Sequence, residues 1–386
     1  MPQRGRRHAC VHTLRLVFAD DLLAPWFDQT MQLLPTVSIF DAHTHIGVND
    51  PDTFKITAEE LLATLAAGRS RAVVFPMHEP GGYAPANDHV IATAAASEGR
   101  LVAFCRVDPR ADPVAEVRRC LAGGARGIKL HPRAEDFTMD EPAVREIVAE
   151  ADAGRLPILI HAGRGIPALG AHVLEYAARF PHARFILAHA GVCDLAWIWE
   201  RITDYPNVFF DTSWFSAPDL LTLFSHVPPG RLLYATDIPF GTPTQSAAVV
   251  FRCALQAGLG SEALASVAGG QIERLLAREE ALELGPAVGT GNLRTDPLLA
   301  RAGYFITCAF AAALARGSSA EFIELARLAC QVGPDAPQAP ACRSIQQLLD
   351  FALQTPMGEA PMERFAHVHL LVVAAAIAAT PDVAVP

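Results

Sequence analysis

Two histidines one residue apart, His43 and His45, are the part of this chain whose residue types and spacing most directly suggest chemistry. They end the short apolar run that begins at Ile39, and Gly47 follows them closely. Residues i and i+2 of a strand point to the same face, so both imidazoles would project together. Neutral imidazole is the commonest nitrogen donor to Zn²⁺. Because a lone His-x-His is often only surface or core histidine, a metal site needs support from the rest of the chain.

That support is a series of potential ligands and bases at the ends of later apolar runs. These residues are Lys129 and His131, His161, His189, Asp211 and Asp237. Histidines scattered through a core would not fall at the ends of successive runs in this way. The pattern therefore predicts that the chain binds a metal ion where these runs meet.

The elements that would position these residues form a regular alternation. Eight strands are predicted over residues 37–42, 71–76, 101–107, 125–130, 157–161, 184–189, 207–211 and 231–236. Helical patterns separate them near residues 57–67, 87–98, 113–122, 141–153, 170–179, 194–203, 217–226 and 244–257. Eight such units over about 250 residues predict an α/β fold, the (β/α)₈ or TIM barrel, whose site lies at the carboxyl ends of the strands. A doubly wound sheet would normally carry a G-x-G-x-x-G loop after an early strand, and none stands there.

Three regions are predicted. Residues 1–36 form an N-terminal extension, residues 37–281 the metal-dependent barrel with one closing helix over 261–281, and residues 292–386 a small α-helical C-terminal appendage. Four helices are expected in the appendage, over residues 298–315, 319–330, 344–353 and 362–379. They are rich in alanine and apolar on more than one face, which suits a cap or a surface for homo-oligomer formation.

Composition narrows the classes of partner and compartment. Of 386 residues, 51% are hydrophobic and the net charge is −10, which argues against nucleic acid as a partner because phosphate binding needs clustered basic residues. Eight cysteines without a C-x-x-C spacing predict free thiols in a reducing compartment. Arg15 interrupts the N-terminal apolar run, and the longest apolar tract is shorter than the roughly 20 residues of a membrane span. We expect a cytoplasmic protein with no membrane partner.

The motifs together resemble a known family. They are Phe40-Asp41-Ala42-His43-Thr44-His45, Gly127-Ile128-Lys129-Leu130-His131-Pro132, His161-Ala162-Gly163, Leu187-Ala188-His189-Ala190-Gly191 and Ala235-Thr236-Asp237-Ile238-Pro239. In this order and at these strand ends they resemble the amidohydrolase superfamily, and within it the amidohydrolase-related branch of metal-dependent hydrolases and decarboxylases. The resemblance covers residues 37–280 and leaves out both termini. Gln271 departs from the asparagine that is frequent there in similar chains, a position that concerns barrel closure.

The resemblance implies a ligand set and two catalytic roles. His43, His45, His161 and Asp237 would bind one divalent metal ion, Zn²⁺ being favoured and Mn²⁺ the alternative, with a position left open for water. Metal-bound water has its pKa lowered towards neutrality. His189 would polarise the substrate carbonyl or move a proton. Asp237 would take the proton of the water and pass it to the leaving group.

Lys129 has two interpretations. In binuclear members of the superfamily, a lysine at this place is carboxylated and bridges two metal ions. The wider pattern resembles the mononuclear members, which favours an unmodified ammonium paired with a carboxylate such as Asp41 or Asp237. Either form would face the substrate.

Three further residues are candidates for substrate binding. His131 could contact substrate or be a hydrogen-bonded residue at the barrel mouth. Arg164 could hold a substrate carboxylate in a bidentate pair or be a solvated loop charge. Trp214 could form a wall of the pocket or only pack. Histidines in helices, His369 among them, are interpreted as structural.

The sequence thus predicts a metal-dependent hydrolase that cleaves a C–N or C–O bond in a small amide, lactone or ester. The first alternative is a non-oxidative decarboxylase of an unsaturated or aromatic acid, which would use the same ligands. The second alternative is a barrel without catalysis that serves as a binding scaffold through its helical tail. The intact ligand set argues against the scaffold.

Overall fold

The computed structural model describes residues 18–386, and a ring of parallel strands lies at its centre. The strands are β1 (Ile39–Ile46), β2 (Ser70–Pro76), β3 (Leu101–Ala103), β4 (Cys105–Arg106), β5 (Ile128–Leu130), β6 (Pro157–Ile160), β7 (Arg184–Leu187), β8 (Val208–Asp211) and β9 (Leu232–Leu233). All neighbouring pairs run parallel, in the orders β1-β2-β3 and β4 to β9. Each strand therefore pairs with the next strand along the chain, as in a barrel.

Two connections join these sheets into one ring. β3 and β4 are parts of one extended segment, separated only by Phe104, whose amide donates to the carbonyl of Val74. At the other edge, the amide of Ala42 donates to Tyr234 O at 2.9 Å and the amide of His45 donates to Ile238 O at 3.1 Å. With β3 and β4 as one strand, the eight predicted strands are present. The predicted (β/α)₈ class is confirmed.

One helix precedes β1, a helix follows nearly every strand, and together they cover the outside of the ring. These helices are α1 (Asp20–Gln32), α2 (Ala58–Ala67), α3 (Ala84–Ala96), α4 (Pro113–Gly123), α5 (Pro142–Gly154), α6 (Leu169–Arg179), α7 (Leu195–Ile198), α8 (Ala217–His226) and α9 (Pro243–Ala257). Most begin within three residues of their predicted starts. The segment predicted as one helix over 194–203 differs in type, because α7 is a single turn that continues as a 3₁₀ helix to Asp204.

The inside of the ring is a packed apolar layer. Phe40, Phe75, Phe104, Leu159 and Phe209 contribute to it and are at most 3% exposed. Because side chains alternate along a strand, the neighbours of these residues point outward to the helices. The layer fills the barrel below the site, and arginines such as Arg71 and Arg231 cover it at the amino ends of the strands.

The helix predicted over 261–281 is present, but it contains a π-helical turn and ends at Leu276 rather than at residue 281. The structure has α10 (Ser261–Ala265), a π-helical segment from Ser266 to Gly270, and α11 (Gln271–Leu276). A β-carbon on Gly269 would lie 2.8 Å from the carbonyl oxygen of Ser38. The widened turn thus brings the backbone of this segment against the start of β1.

Four helices make up the C-terminal part of the chain. They are α12 (Pro297–Leu314), α13 (Ala320–Ala329), α14 (Ala339–Gln354) and α15 (Phe365–Ala379). Almost all of α15 is buried, and it packs against α9, α12 and α14. The Trp26 indole on α1 donates to Ser344 Oγ on α14 at 2.7 Å, so part of the predicted N-terminal extension is helical and contacts the C-terminal helices. Residues 1–17 lie outside the described part of the chain, and the division into three regions stays a prediction.

Two further features bear on the compartment. The seven cysteines of residues 18–386 are free thiols; Cys10 lies outside the described residues. Two segments, Pro297–Leu314 and Pro361–Ala379, are long and apolar enough to cross a membrane by length and composition. Core helices of soluble proteins pass the same test, and 72% of the second segment is buried inside the structure. Location in the cytoplasm stays a prediction.

Candidate metal centre

The first two predicted ligands lie side by side on β1. His43 and His45 project to the same face, with ring centroids 5.2 Å apart. Nδ1 of His43 lies 2.8 Å from Oδ2 of Asp211, and Nδ1 of His45 lies 3.4 Å from the carbonyl oxygen of Pro76. Such acceptors hold the proton on Nδ1 and leave the lone pair on Nε2. Both Nε2 atoms are therefore available to a ligand.

Asp237 completes a three-residue group. It follows β9 with a left-handed backbone (φ 58°), and its amide donates to the carbonyl of His43 at 2.9 Å. Its Oδ1 lies 2.9 Å from Nε2 of His43 and 2.9 Å from Nε2 of His45. Asp41 on β1 holds the segment that carries Asp237, because its Oδ2 accepts a hydrogen bond from the Thr236 hydroxyl at 2.5 Å. His43, His45 and Asp237 form a group that could hold a metal ion.

The protonation states suit a cation. Burial lowers the pKa of His45 to about 3, which keeps this imidazole neutral near pH 7. Burial alone would raise the pKa of Asp237, but the charge and contacts of His43 and His45 hold it well below its ordinary value. Burial lowers the pKa of His43, but the charges of Asp237 and Asp211 outweigh it and raise this pKa above its ordinary value. When His43 gives up its proton, two nitrogen lone pairs and one carboxylate oxygen converge within hydrogen-bonding distance.

The short distances among His43 Nε2, His45 Nε2 and Asp237 Oδ1 show whether these residues fit a metal ion. Three acceptor atoms at such short range repel one another unless a positive species lies between them. One proton can satisfy only one pair of these atoms, whereas a divalent ion satisfies all three at once. Nitrogen and oxygen donors of this kind bind zinc and neighbouring transition ions. The residues therefore fit a divalent metal ion, and the identity of the ion belongs to the proposal below.

His161, the fourth predicted ligand, lies next to this group without belonging to it. Its Nδ1 lies 2.8 Å from Nε2 of His189, and its ring stacks on that of His131 with centroids 3.8 Å apart. Its Nε2 is buried and has no hydrogen-bond partner. A β-carbon on Gly163 would lie 2.5 Å from that atom. The structure thus brings together three of the four predicted ligands, and the role of His161 stays a prediction.

His189 is held from three sides. Its Nδ1 lies 3.0 Å from the carbonyl oxygen of Ser213, and its amide donates to Oδ1 of Asp211 at 2.9 Å. The same Nδ1 is 3.9 Å from Oδ2 of Asp237, so the two residues predicted to be catalytic face each other. His189 has a left-handed backbone (φ 58°), which turns its side chain towards the site.

Lys129 is fully buried, and its surroundings differ from the expected ion pair. Its Nζ lies 3.4 Å from Nε2 of His43 and 4.9 Å from the centroid of the Phe75 ring. No carboxylate of residues 18–386 lies within ion-pair distance of it, so the predicted pairing with Asp41 or Asp237 is wrong. Burial lowers the pKa of Lys129 to about 7. Both charge states are thus accessible near neutrality.

A cavity of about 930 Å³ opens over these residues. His131, Arg164 and Trp214, the predicted substrate-binding residues, all contribute to its lining, as does Lys129. Arg164 is exposed. The Trp214 indole donates to Oδ2 of Asp219 at 2.7 Å, and its ring centroid lies 6.2 Å from that of His189. The volume lies towards the upper end of the range for small-molecule sites.

Sequence reasoning missed a buried charge network beside the cavity. Arg106 ends β4 at 2% exposure, and its Nη2 lies 2.6 Å from Oε1 of Glu135. The Tyr83 hydroxyl donates to the same oxygen, while Oε2 of Glu135 is buried without a partner. An arginine inside an apolar strand was the available signal. Arg133, which also lines the cavity, carried no such signal.

Comparison with known proteins gives the family. The sequence model of one family, described as Amidohydrolase, matches residues 40–278, more than half of the chain. The chain belongs to the amidohydrolase family. This amidohydrolase is therefore an enzyme rather than a scaffold alone, and its family acts on small molecules. A comparison with curated protein sequences found no match.

Solved structures show the fold of this amidohydrolase again. A candidate amidohydrolase of Staphylococcus aureus is 18% identical over 62% of this chain and 100% of its own, with a TM-score of 0.51. An uncharacterised TIM-barrel protein of Bordetella bronchiseptica is 16% identical over 63% and 99%, also with a TM-score of 0.51. A 2,6-dihydroxybenzoate decarboxylase bound to 2,6-dihydroxybenzoate is 16% identical over 63% and 99%, with a TM-score of 0.51. Each shows likeness of fold alone.

Proposed function

We propose that this amidohydrolase is a zinc-dependent hydrolase that cleaves a C–N or C–O bond in a small amide, lactone or ester. The observation that carries the proposal is the convergence of His43 Nε2, His45 Nε2 and Asp237 Oδ1 at the floor of a large cavity. A divalent ion bound there would act as a Lewis acid and lower the pKa of a coordinated water towards neutrality.

The residues around this group have separate tasks. Asp237 holds one oxygen towards the histidines and has a second, Oδ2, on the side of His189. We assign Oδ2 the role of accepting the proton of the attacking water and returning it to the leaving nitrogen or oxygen. Nδ1 of His189 donates to Ser213 O, so Nε2, which lies 2.8 Å from His161 Nδ1, would be the atom that turns to the substrate. With a proton on Nε2, it would donate a hydrogen bond to the substrate carbonyl oxygen, which gains negative charge in the transition state.

A second reaction, non-oxidative decarboxylation, has its own support. Arg133 and Arg164 line the cavity and could bind a substrate carboxylate. One protein of the same fold is a decarboxylase of 2,6-dihydroxybenzoate. We place hydrolysis first because water would need only the proton acceptor that Asp237 provides. The decarboxylase would instead have to protonate a carbon atom of its substrate.

A labelled-water experiment separates the two reactions. The metal-loaded protein would be incubated in H₂¹⁸O with anilides, lactones, esters and unsaturated or aromatic acids, and products analysed by mass spectrometry. We expect one ¹⁸O atom in the carboxylic acid product and no release of CO₂. Release of CO₂ with no ¹⁸O in the organic product would establish the decarboxylase instead.

The Asp237→Asn variant tests the assigned proton acceptor. It keeps the size of the side chain and loses the base, so we expect kcat to fall by roughly 10²- to 10⁴-fold. Because the change also removes a candidate ligand charge, bound metal must be measured in the same samples. The matched control is Asp219→Asn. Asp219 lies near the cavity and accepts a hydrogen bond from the Trp214 indole. An equal loss in both variants would contradict the role of Asp237.

A further inference from the structure

The cavity above the metal centre has a wall that the barrel does not supply. Six residues of two C-terminal helices line it: Thr307, Phe310 and Leu314 of α12, and Leu371, Val372 and Ala375 of α15. Five of the six side chains are apolar. The family match ends at residue 278, so this wall comes from outside the matched region.

The orientation of the α12 side chains is fixed by packing. Positions 307, 310 and 314 are spaced by three and four residues and therefore share one face. The adjoining face, which includes Ile306 and Ala309, is completely buried against the other helices. Phe310 thus points into the cavity, and its ring centroid lies 6.3 Å from that of Phe215 after β8. We call Phe310, Leu314, Leu371 and Val372 the apolar wall.

The C-terminal helices are connected to the loop that carries Asp237. Nε2 of His369 on α15 donates to the carbonyl of Phe240 at 2.8 Å, and the Phe240 amide donates to the carbonyl of Asp237 at 2.9 Å. The Phe54 ring, in the loop after β1, lies 4.5 Å from that of Phe240 and 6.0 Å from that of Phe365. The cavity therefore has a polar end of histidines and aspartates and an apolar end that is continuous with it.

We propose that the apolar wall binds an aliphatic chain of the substrate, about six or more carbons long, whose reacting group lies at His43, His45 and Asp237. The proposal rests on the proposed function, since it takes the reacting bond to be held at that group. Leu371 and Val372 are buried behind the surface of the wall, whereas Phe310 is half-buried and Leu314 is 55% exposed. A small polar substrate would leave Phe310 and Leu314 in contact with water, whereas a long acyl chain would cover them. The substrate class is then long-chain acyl amides, esters or lactones.

Binding of a homologous series tests the wall without needing turnover. Straight-chain hydroxamic acids of two to ten carbons share a metal-binding head and differ only in the tail. Their dissociation constants for the full-length protein would be measured by calorimetry, with zinc loaded and after chelation. Beyond about four carbons, we expect each methylene buried on the wall to tighten binding by up to roughly fourfold. Equal affinity along the series would overturn the proposal.

Two phenylalanines of α12 provide a matched pair of variants. Phe310→Ala should weaken binding of the eight-carbon acid by roughly tenfold and leave the two-carbon acid unchanged, because only the long tail reaches the wall. Phe305→Ala, on the same helix and outside the cavity lining, should change neither. Phe310→Trp, which leaves no void, should weaken only the longest acids. Equal effects of Phe310→Ala and Phe305→Ala would refute the wall.

The chelated samples separate this inference from the function beneath it. Long-chain binding that is independent of zinc, without hydrolysis of any substrate, would leave the wall in place and sink the proposed hydrolase. Zinc-dependent binding with no effect of chain length would overturn the apolar wall and leave the metal site of the proposed hydrolase in place. Failure of every acid to bind either form would overturn the wall, since an apolar cavity of this size should hold a ten-carbon tail without zinc.

Discussion

At the residue scale, the site depends on atoms that orient the ligands as much as on the ligands themselves. The i, i+2 spacing of His43 and His45 is legible in the sequence, because strand periodicity places both rings on one face. The partner that fixes the tautomer of His43 is Asp211, which is 168 residues away. The sequence showed that Asp211 ends a strand, but only the closed ring places it behind His43. For the same reason the Lys129 pairing was mispredicted: its neighbours come from other strands.

The Asp211→Asn variant tests this orienting role. The amide can present its nitrogen to His43 Nδ1 and so favour the wrong tautomer, which places a proton on the nitrogen that faces the metal. We expect zinc affinity to fall by roughly 10- to 100-fold, measured by competition with a chelating dye. Asp211 also accepts from the Ser213 hydroxyl at 2.6 Å, so the folded fraction must be checked by circular dichroism. Unchanged zinc affinity in a folded variant would refute the role.

At the element scale, strand and helix positions followed from periodicity, whereas their irregularities did not. β1 runs to Ile46 rather than ending at residue 42, because the segment 43–46 pairs both with β2 and with the residues after β9. The π-helical turn from Ser266 to Gly270 lies where Gly269 closely approaches Ser38. Both features depend on contacts between distant segments, which local periodicity does not contain. The role of α15 as a cavity wall was missed for the same reason.

The contact of α15 with the loop after β9 predicts a pH dependence of stability. His369 is fully buried; its Nε2 donates to Phe240 O, and its Nδ1 has no partner. Burial lowers the pKa of His369 to about 4 from an ordinary 6.5, so the unfolded chain takes up a proton that the folded chain does not. Its contribution to stability is complete above pH 6.5 and is lost as the pH falls towards 4, in total about 3 kcal/mol.

His369→Gln checks this linkage. Glutamine keeps a donor for Phe240 O and removes the titration, so we expect the loss in unfolding free energy between pH 6.5 and 4 to be about 3 kcal/mol smaller than in the wild type. Urea unfolding at several pH values provides the measurement. The difference between the two proteins in unfolding free energy at each pH removes the contribution of the other titrating groups, which both proteins share. Parallel pH curves for the two proteins would show that His369 is not the group responsible.

At the scale of the whole molecule, the C-terminal helices and the barrel are joined by buried contacts as well as by the cavity. Arg252 on α9 is 2% exposed, and its guanidinium donates to the carbonyl oxygens of Thr380, Val383 and Ala384. Composition and helical pattern predicted an apolar appendage, and self-association stays a prediction. Composition and helical pattern could not show that residues 380–384 accept hydrogen bonds from the barrel helix α9.

Arg252→Ala should therefore destabilise the whole molecule. It removes a buried side chain and its hydrogen bonds to the carbonyls of Thr380, Val383 and Ala384, and we expect a loss of about 2–4 kcal/mol in unfolding free energy. Arg294→Ala is the control, because Arg294 is 76% exposed and lies 4.0 Å from Asp382. It should change stability by less than about 0.5 kcal/mol. Equal effects in the two variants, measured by denaturant unfolding, would contradict a structural connection through Arg252.

The central claim is that His43, His45 and Asp237 hold one divalent ion, and elemental analysis of the purified full-length protein tests it most directly. The wild type would be compared with His45→Ala, and with His161→Ala to learn whether His161 is a ligand. We predict about one equivalent of zinc in the wild type and a large loss in His45→Ala. Two equivalents would instead indicate a bridged site at Lys129. A wild-type protein that contains no metal and takes none up on addition of zinc or manganese would contradict the account.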